Sequence, residues 1–157
     1  KQTLETETIS KTVRSALKFC KIAKNILSVE VIDELDSGDS MVVADHNKLI
    51  QVFLNIIKNA LHSMPHGGTL TLRSKSIVLK GAKSVVIEIK DTGEGIPKKN
   101  IKKIFDPFFT TKQPGEGTGL GLSVCYRIIK DLDGDITLSS NVGQGTSFRI
   151  TLPATEK

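Results

Sequence analysis

No run of apolar residues in this chain approaches the roughly 20 that a bilayer-spanning helix needs, so a transmembrane helix is excluded from it. No signal peptide opens the sequence. Cysteine is scarce: Cys20 and Cys125 are the only two, and neither has a Cys-x-x-Cys partner. That sets aside a disulfide scaffold and a thiolate metal site. Both fall on apolar helical faces, and both are expected to be core thiols in a reducing compartment. Charge of one sign is not in large excess. The net charge of +5 (pI ≈ 9.2) is mild, and it indicates a solvated surface rather than a nucleic-acid footprint. The initiator methionine is absent too. The chain begins at Lys1 and reads as a fragment.

What is present is a globular composition, with 38% apolar and 25% charged residues in 157, enough for one domain with a real core. Apolar residues at three- and four-residue spacing predict a helix from about Thr8 to Asn25. Val29–Leu35 and Met41–Ala44 read as strands around the turn Asp36-Ser37-Gly38-Asp39, a candidate hairpin. Asp45 is placed to cap a helix from His46 to Met64, which Pro65-His66-Gly67-Gly68 ends. Thr69–Ser74 and Ser84–Lys90 alternate like strands, and Asp135–Ser140 with Thr146–Leu152 form a last hairpin. Between Asp91 and Glu116 lies an aperiodic stretch, unusually long for a connection inside a compact domain. The expected fold class is α+β, a two-layer sandwich. Its sheet is mixed and mostly antiparallel, with three helices on one face.

The chain is organised around Gly115-Glu116-Gly117-Thr118-Gly119-Leu120-Gly121-Leu122, with glycine at alternate positions, running directly into an amphipathic helix. A side-chain-poor loop at a helix N-terminus exposes N–H groups that another backbone or a phosphate can approach. It is not a Walker loop, because no Lys-Ser or Lys-Thr follows the last glycine. It is not a dinucleotide fingerprint, because the spacing differs.

Three other stretches carry candidate chemistry. On the helix from His46 to Met64, Asn55, Asn59 and His62 stand at i, i+4 and i+7 opposite the apolar side. They are either a solvated face or a set of oxygen ligands. Asn is a poor mid-helix residue, and a hard cation such as Mg²⁺ takes neutral oxygens alongside phosphates. Asp91-Thr92-Gly93-Glu94-Gly95-Ile96-Pro97 follows a strand. It is either a turn with a capping Asp or a fixed acceptor beside a backbone that something flat can approach. Phe105-Asp106-Pro107-Phe108-Phe109-Thr110-Thr111-Lys112 gathers three phenylalanines in a basic loop, as a satellite core, a docking surface or a lid latch. Lys112 is the lysine best placed for phosphate.

Asn55-x-x-x-Asn59, Asp91-x-Gly93-x-Gly95, Phe105-x-Pro107-Phe108-Phe109, Gly117-Thr118-Gly119-Leu120-Gly121-Leu122 and Gly145-Thr146 occur in one order and spacing. In this the chain resembles the catalytic, ATP-binding domain of a two-component sensor histidine kinase, of the GHKL (Bergerat-fold) superfamily. The resemblance covers about residues 8 to 153 of a single domain, with a flexible ATP lid at about 92–116. It implies ATP and Mg²⁺ as cofactors. Asp91 would accept from the adenine amino group with Thr146 in support through water, and Gly93 and Gly95 would let the backbone pass beside the base. Asn59 with Asn55 would coordinate Mg²⁺, and Gly117, Gly119, Leu120 and Gly121 would offer N–H groups to the phosphates. Ile96, Thr118, Leu122, Lys112 and His62 complete the implied nucleotide contacts. Relatives often carry a cation or amide at the position of His62. Asn55, Asn59 and Lys112 are the candidates for catalysis.

Asn55 also bears on mechanism. It has no basic atom and cannot deprotonate water. The superfamily's ATP hydrolases typically have Glu there. An amide instead fits phosphoryl delivery by positioning and charge stabilisation. None of His46, His62 and His66 sits in the phosphoacceptor context, so the resemblance implies that the acceptor histidine lies on a separate dimerisation domain, absent here. The implied setting is a monomeric fragment in the cytoplasm, whether or not the parent protein is membrane-anchored, acting indirectly on a response regulator and not on nucleic acid. The alternatives are a GHKL-type ATPase or protein serine kinase, and a non-catalytic nucleotide-binding docking module.

Overall fold

A computed structural model describes residues 3–23, 28–36, 40–107, 109 and 121–155. The elements run in the order β1 (Leu4–Thr8), α1 (Ile9–Ala23), β2 (Val29–Glu34), β3 (Met41–Asp45), α2 (His46–His62), β4 (Gly68–Leu79), β5 (Ala82–Asp91), α3 (Lys98–Ile101), α4 (Gly121–Asp131), β6 (Asp135–Asn141) and β7 (Gly145–Pro153). The main sheet has the order β2-β4-β5-β7-β6. Only β2 with β4 is parallel; the other pairs are antiparallel.

Alternation along each strand builds the core. The register sets Leu72, Ile89, Phe148 and Leu138 in one row across the sheet, and Ser74, Ile87, Ile150 and Ile136 in the next. Apart from Ser74, these residues meet Ile9, Val13 and Leu17 of α1, Phe53, Ile56 and Ile57 of α2, and Cys125 and Ile129 of α4 in a single apolar cluster. The helix layer therefore covers one face of the sheet, because only that face presents a continuous apolar surface. Among the described residues no helix is long and apolar enough to cross a membrane.

Asp45 caps α2, its Oδ1 accepting from the Lys48 N–H at 3.1 Å, while Oδ2 accepts from the Thr3 N–H at 3.0 Å. An N-cap of this kind is worth about 1 kcal/mol. It fixes the start of the helix that carries both candidate asparagines.

The helix expected from about Thr8 is α1, and β1 before it pairs antiparallel with β3 in a separate two-stranded sheet. Two expectations are corrected. The expected hairpin between the segments at 29–35 and 41–44 does not form. β2 instead takes the parallel edge of the main sheet against β4. A short connection permits a hairpin, but strand partners are chosen by which distant edge is open, and no local pattern reports that. The aperiodic stretch after Asp91 contains a fourth, four-residue helix, α3, too short to show a period. The readings for residues 24–27, 37–39, 108 and 110–120 lie outside the described residues, and with them much of the expected lid.

Candidate functional site

The site begins with the parity of β5. Val85, Ile87 and Ile89 face the helices, so Asp91, two residues further on, faces them as well. It is 4% exposed, an unusual position for a carboxylate. Its Oδ1 accepts two backbone N–H groups, from Gly93 at 2.8 Å and from Thr146 at 3.2 Å. Burial pushes its pKa above the ordinary carboxylate value, and the N–H groups of Gly93 and Thr146 with the Ser63 hydroxyl pull the other way. The loop therefore holds a carboxylate in place while removing most of its water.

Gly145 makes the second of those bonds possible. Its φ is +121°, and a Cβ there would lie 2.0 Å from the Asp91 carbonyl oxygen. Only a residue without a Cβ lets β7 come this close, bringing the next N–H onto the carboxylate. Thr146 thus supports Asp91 directly, through its backbone, and its hydroxyl goes elsewhere: Thr146 Oγ1 and Ser140 Oγ are 2.8 Å apart. Ser140 Oγ also donates to the Gly145 carbonyl at 3.0 Å and accepts from the Ile96 N–H at 2.7 Å. Gly93 and Gly95 are both required by protein contacts, the first against Ser63 at the end of α2 and the second, with φ +78°, against Asn141. Asp91, Gly93, Gly95, Ile96 and Thr146 thus form one connected cluster, seated on the end of α2 through Glu94 N–H donating to the Ser63 carbonyl at 3.2 Å.

A second cluster lies further back on α2. Asn55 Nδ2 donates to the Gly121 carbonyl at 3.4 Å and approaches Cys125 Sγ at 3.7 Å. Cys125 Sγ donates in turn to the Val52 carbonyl at 3.7 Å. Cys125 is fully buried, and burial pushes its thiol up to about 12, partly offset by Asn55. Both cysteines are buried, as expected of core thiols. Gly121 opens α4, while the Leu122 side chain packs against the core. Asn59 and His62 are half-buried on the same helix. At 1.5 Å per residue, Asn55 and Ser63 stand about 12 Å apart along α2, with Asn59 midway. The helix is a ruler between the two clusters, and an elongated ligand could engage both.

A cavity of about 600 Å³ opens along the outer side of α2, lined by Asn55, Lys58 and His62 together with Phe19, Ile50 and Leu54. Asp91 and Asn59 do not line it. The convergent polar groups lie at the two clusters, whereas the cavity wall is mainly apolar. Phe105, from the phenylalanine cluster, packs against the main core, its ring 5.5 Å from that of Tyr126 and 6.4 Å from that of Phe148. Lys112, Gly117, Thr118, Gly119 and Leu120 lie outside the described residues. Ser63, Ser140 and Cys125 were missed as supporting residues. None stands in a motif, and each has a partner distant in sequence: Glu94 for Ser63, Ile96 for Ser140 and Asn55 for Cys125.

Comparison with known proteins bears on this geometry. The model of the family described as histidine kinase-, DNA gyrase B- and HSP90-like ATPase matches residues 44–156. Sporulation kinase C of Bacillus subtilis is 41% identical across 92% of this chain, and the sensor kinase CckA of Brucella abortus is 41% identical across 98%. The chain spans only 32% and 18% of those two relatives. Among solved structures, the catalytic domain of histidine kinase ThkA superposes with a TM-score of 0.82 at 27% identity, covering 97% of this chain and 98% of that one. The mycobacterial sensor histidine kinase MprB gives 0.83 at 22% identity, covering 99% and 100%, a likeness of fold.

Proposed function

The chain belongs to the histidine kinase-, DNA gyrase B- and HSP90-like ATPase family, as a catalytic domain of the sensor histidine kinase kind, and on that premise we propose that it binds Mg-ATP and donates the γ-phosphoryl group to a histidine on another domain of its parent protein. The observation that carries the reading is the buried Asp91 carboxylate, held by two N–H groups at the strand end. A fixed acceptor in a nearly dry site selects a ligand with a matching donor, and the adenine amino group supplies one.

The metal part of the reading rests on the donor set. Among the described residues no group of three or more His, Cys, Asp or Glu could hold a metal ion. Asn55 and Asn59 offer neutral amide oxygens, too few for a protein cage. They suit Mg²⁺ whose coordination is completed by phosphate oxygens. Bound there, the ion would supply charge neutralisation to the transferring phosphoryl group. Gly121 and Leu122, with Gly117, Thr118, Gly119, Leu120 and Lys112, are assigned to the phosphates on the same reading, and His62 and Ile96 to nucleotide binding. The role of Asn55 and Asn59 is to orient rather than to move a proton, since an amide has no basic atom. We assign residues 92–116 to a lid and the acceptor histidine, with dimerisation, to a separate domain. The response regulator is then an indirect partner.

The test is calorimetric titration of the chain with ADP, with and without Mg²⁺, followed by phosphorylation of a supplied acceptor domain. The expected result is magnesium-enhanced binding and phosphoryl transfer with little steady-state ATP hydrolysis. Brisk hydrolysis by the isolated chain favours an ATPase. Normal binding without transfer favours a docking module.

A further inference from the structure

The amide of Asn55 has two ends, and the structure commits one of them. Its nitrogen faces Gly121 O at 3.4 Å and Cys125 Sγ at 3.7 Å. A carbonyl oxygen is an acceptor only, so the end that meets Gly121 must be the NH₂. The second hydrogen of that NH₂ then points to sulfur. The thiol hydrogen is directed away, onto the Val52 carbonyl at 3.7 Å, which leaves a sulfur lone pair facing Asn55. The result is a chain of donors running Asn55 to Cys125 to Val52, from α2 to α4 and back to α2. A Cβ built at Gly121 would lie 3.7 Å from Asn55 Cγ, in ordinary van der Waals contact with the amide.

We propose that Cys125 is a positioning residue: with the Gly121 carbonyl it holds both N–H groups of Asn55 against α4, so that Oδ1 is the atom presented to the bound cation. This rests on the assignment of Asn55 to the metal. Cys125 touches neither nucleotide nor ion. It acts by preventing the amide from turning its hydrogens toward the cation, and it ties the metal ligand to the first turn of α4, where the glycine-rich stretch ends.

Two variants separate positioning from packing. Cys125→Val keeps a buried apolar group but has no lone pair; Cys125→Ser keeps the acceptor. The first readout needs no nucleotide: the side-chain ¹⁵N–¹H resonances of Asn55, identified by their loss in Asn55→Asp. One of the pair should move toward the free-amide position in Cys125→Val and return in Cys125→Ser. The second is the factor by which Mg²⁺ tightens ADP binding. It should fall by about two- to fivefold in Cys125→Val, the scale of one weak hydrogen bond, and recover in Cys125→Ser, with magnesium-free ADP affinity unchanged in both. Unmoved resonances overturn the proposal, and so does an unchanged magnesium factor. A uniform loss with and without Mg²⁺ shows a packing role and overturns it too. Should Cys125→Val fail to fold, Cys125→Ala is read in the same way. If the unmutated chain shows no magnesium-enhanced binding, the functional reading falls, and the amide resonances alone decide whether Cys125 holds Asn55.

Discussion

Replacing Asp91 by Asn separates binding from folding in one step. Both backbone bonds to this side chain end on Oδ1. An Asn at 91 can place its own carbonyl oxygen in that position and keep both. It also removes a charge that burial disfavours, since the pKa of Asp91 is already raised. Folding stability at neutral pH should therefore change by no more than about 1 kcal/mol, with a gain as natural as a loss. Binding should suffer, because the other end of the side chain becomes an NH₂ facing the adenine amino group, donor against donor. Losing one hydrogen bond to a charged acceptor costs about 1.5–3 kcal/mol, or about 10- to 150-fold in affinity. The assay is ADP titration without Mg²⁺, which isolates the base from the cation, beside thermal unfolding of the same sample. Unchanged ADP affinity refutes the adenine assignment. A large fall in melting temperature refutes the claim that Oδ1 can be replaced by an amide oxygen.

The same carboxylate sets a pH dependence. Its folded pKa lies above the unfolded value, so the folded state binds the proton more tightly. Its contribution to stability is greatest in acid and declines as pH rises from the ordinary carboxylate value through the raised pKa. The melting-temperature difference between Asp91→Asn and the parent should move in the variant's favour across that window, as scanning calorimetry at several pH values would show; a flat difference counts against the raised pKa. Gly145→Ala adds a Cβ 2.0 Å from the Asp91 carbonyl at φ +121°, and should cost more than about 2 kcal/mol. Gly143→Ala is its control: φ is +82° but no atom lies within 4 Å, so only about 1–2 kcal/mol is expected from the backbone. Urea midpoints order the two, and equal costs would mean that the close approach of β7 to Asp91 relaxes freely. Phe53→Ala, at 0% exposure on the buried face of α2, should cost about 3–5 kcal/mol in the same assay, and a loss below about 1 kcal/mol would show that the core collapses around it.

Wherever the controlling physics is local, the sequence by itself determined the outcome. The 3.6-residue period of Leu49, Val52, Phe53, Ile56 and Ile57 specified α2 and its buried face, and Asp45 marked its start. Alternation specified β4 to β7, and the five spaced motifs specified the family. Those signals act through neighbours on one helix face or one strand, and so they survive in the linear order. Partnership between distant segments does not. That β2 runs parallel to β4, and that β1 closes on β3, depends on segments far apart in the chain, which no local pattern reports. In the sequence Thr146 is half of the Gly145-Thr146 motif. Only the fold showed that its N–H reaches Asp91, 55 positions away, because Gly145 lets two backbones nearly touch. Cys125 read as an ordinary core thiol, and burial agreed. Its line to Asn55 exists only because α4 crosses α2 at that turn, a consequence of helix packing that no spacing of residues encodes.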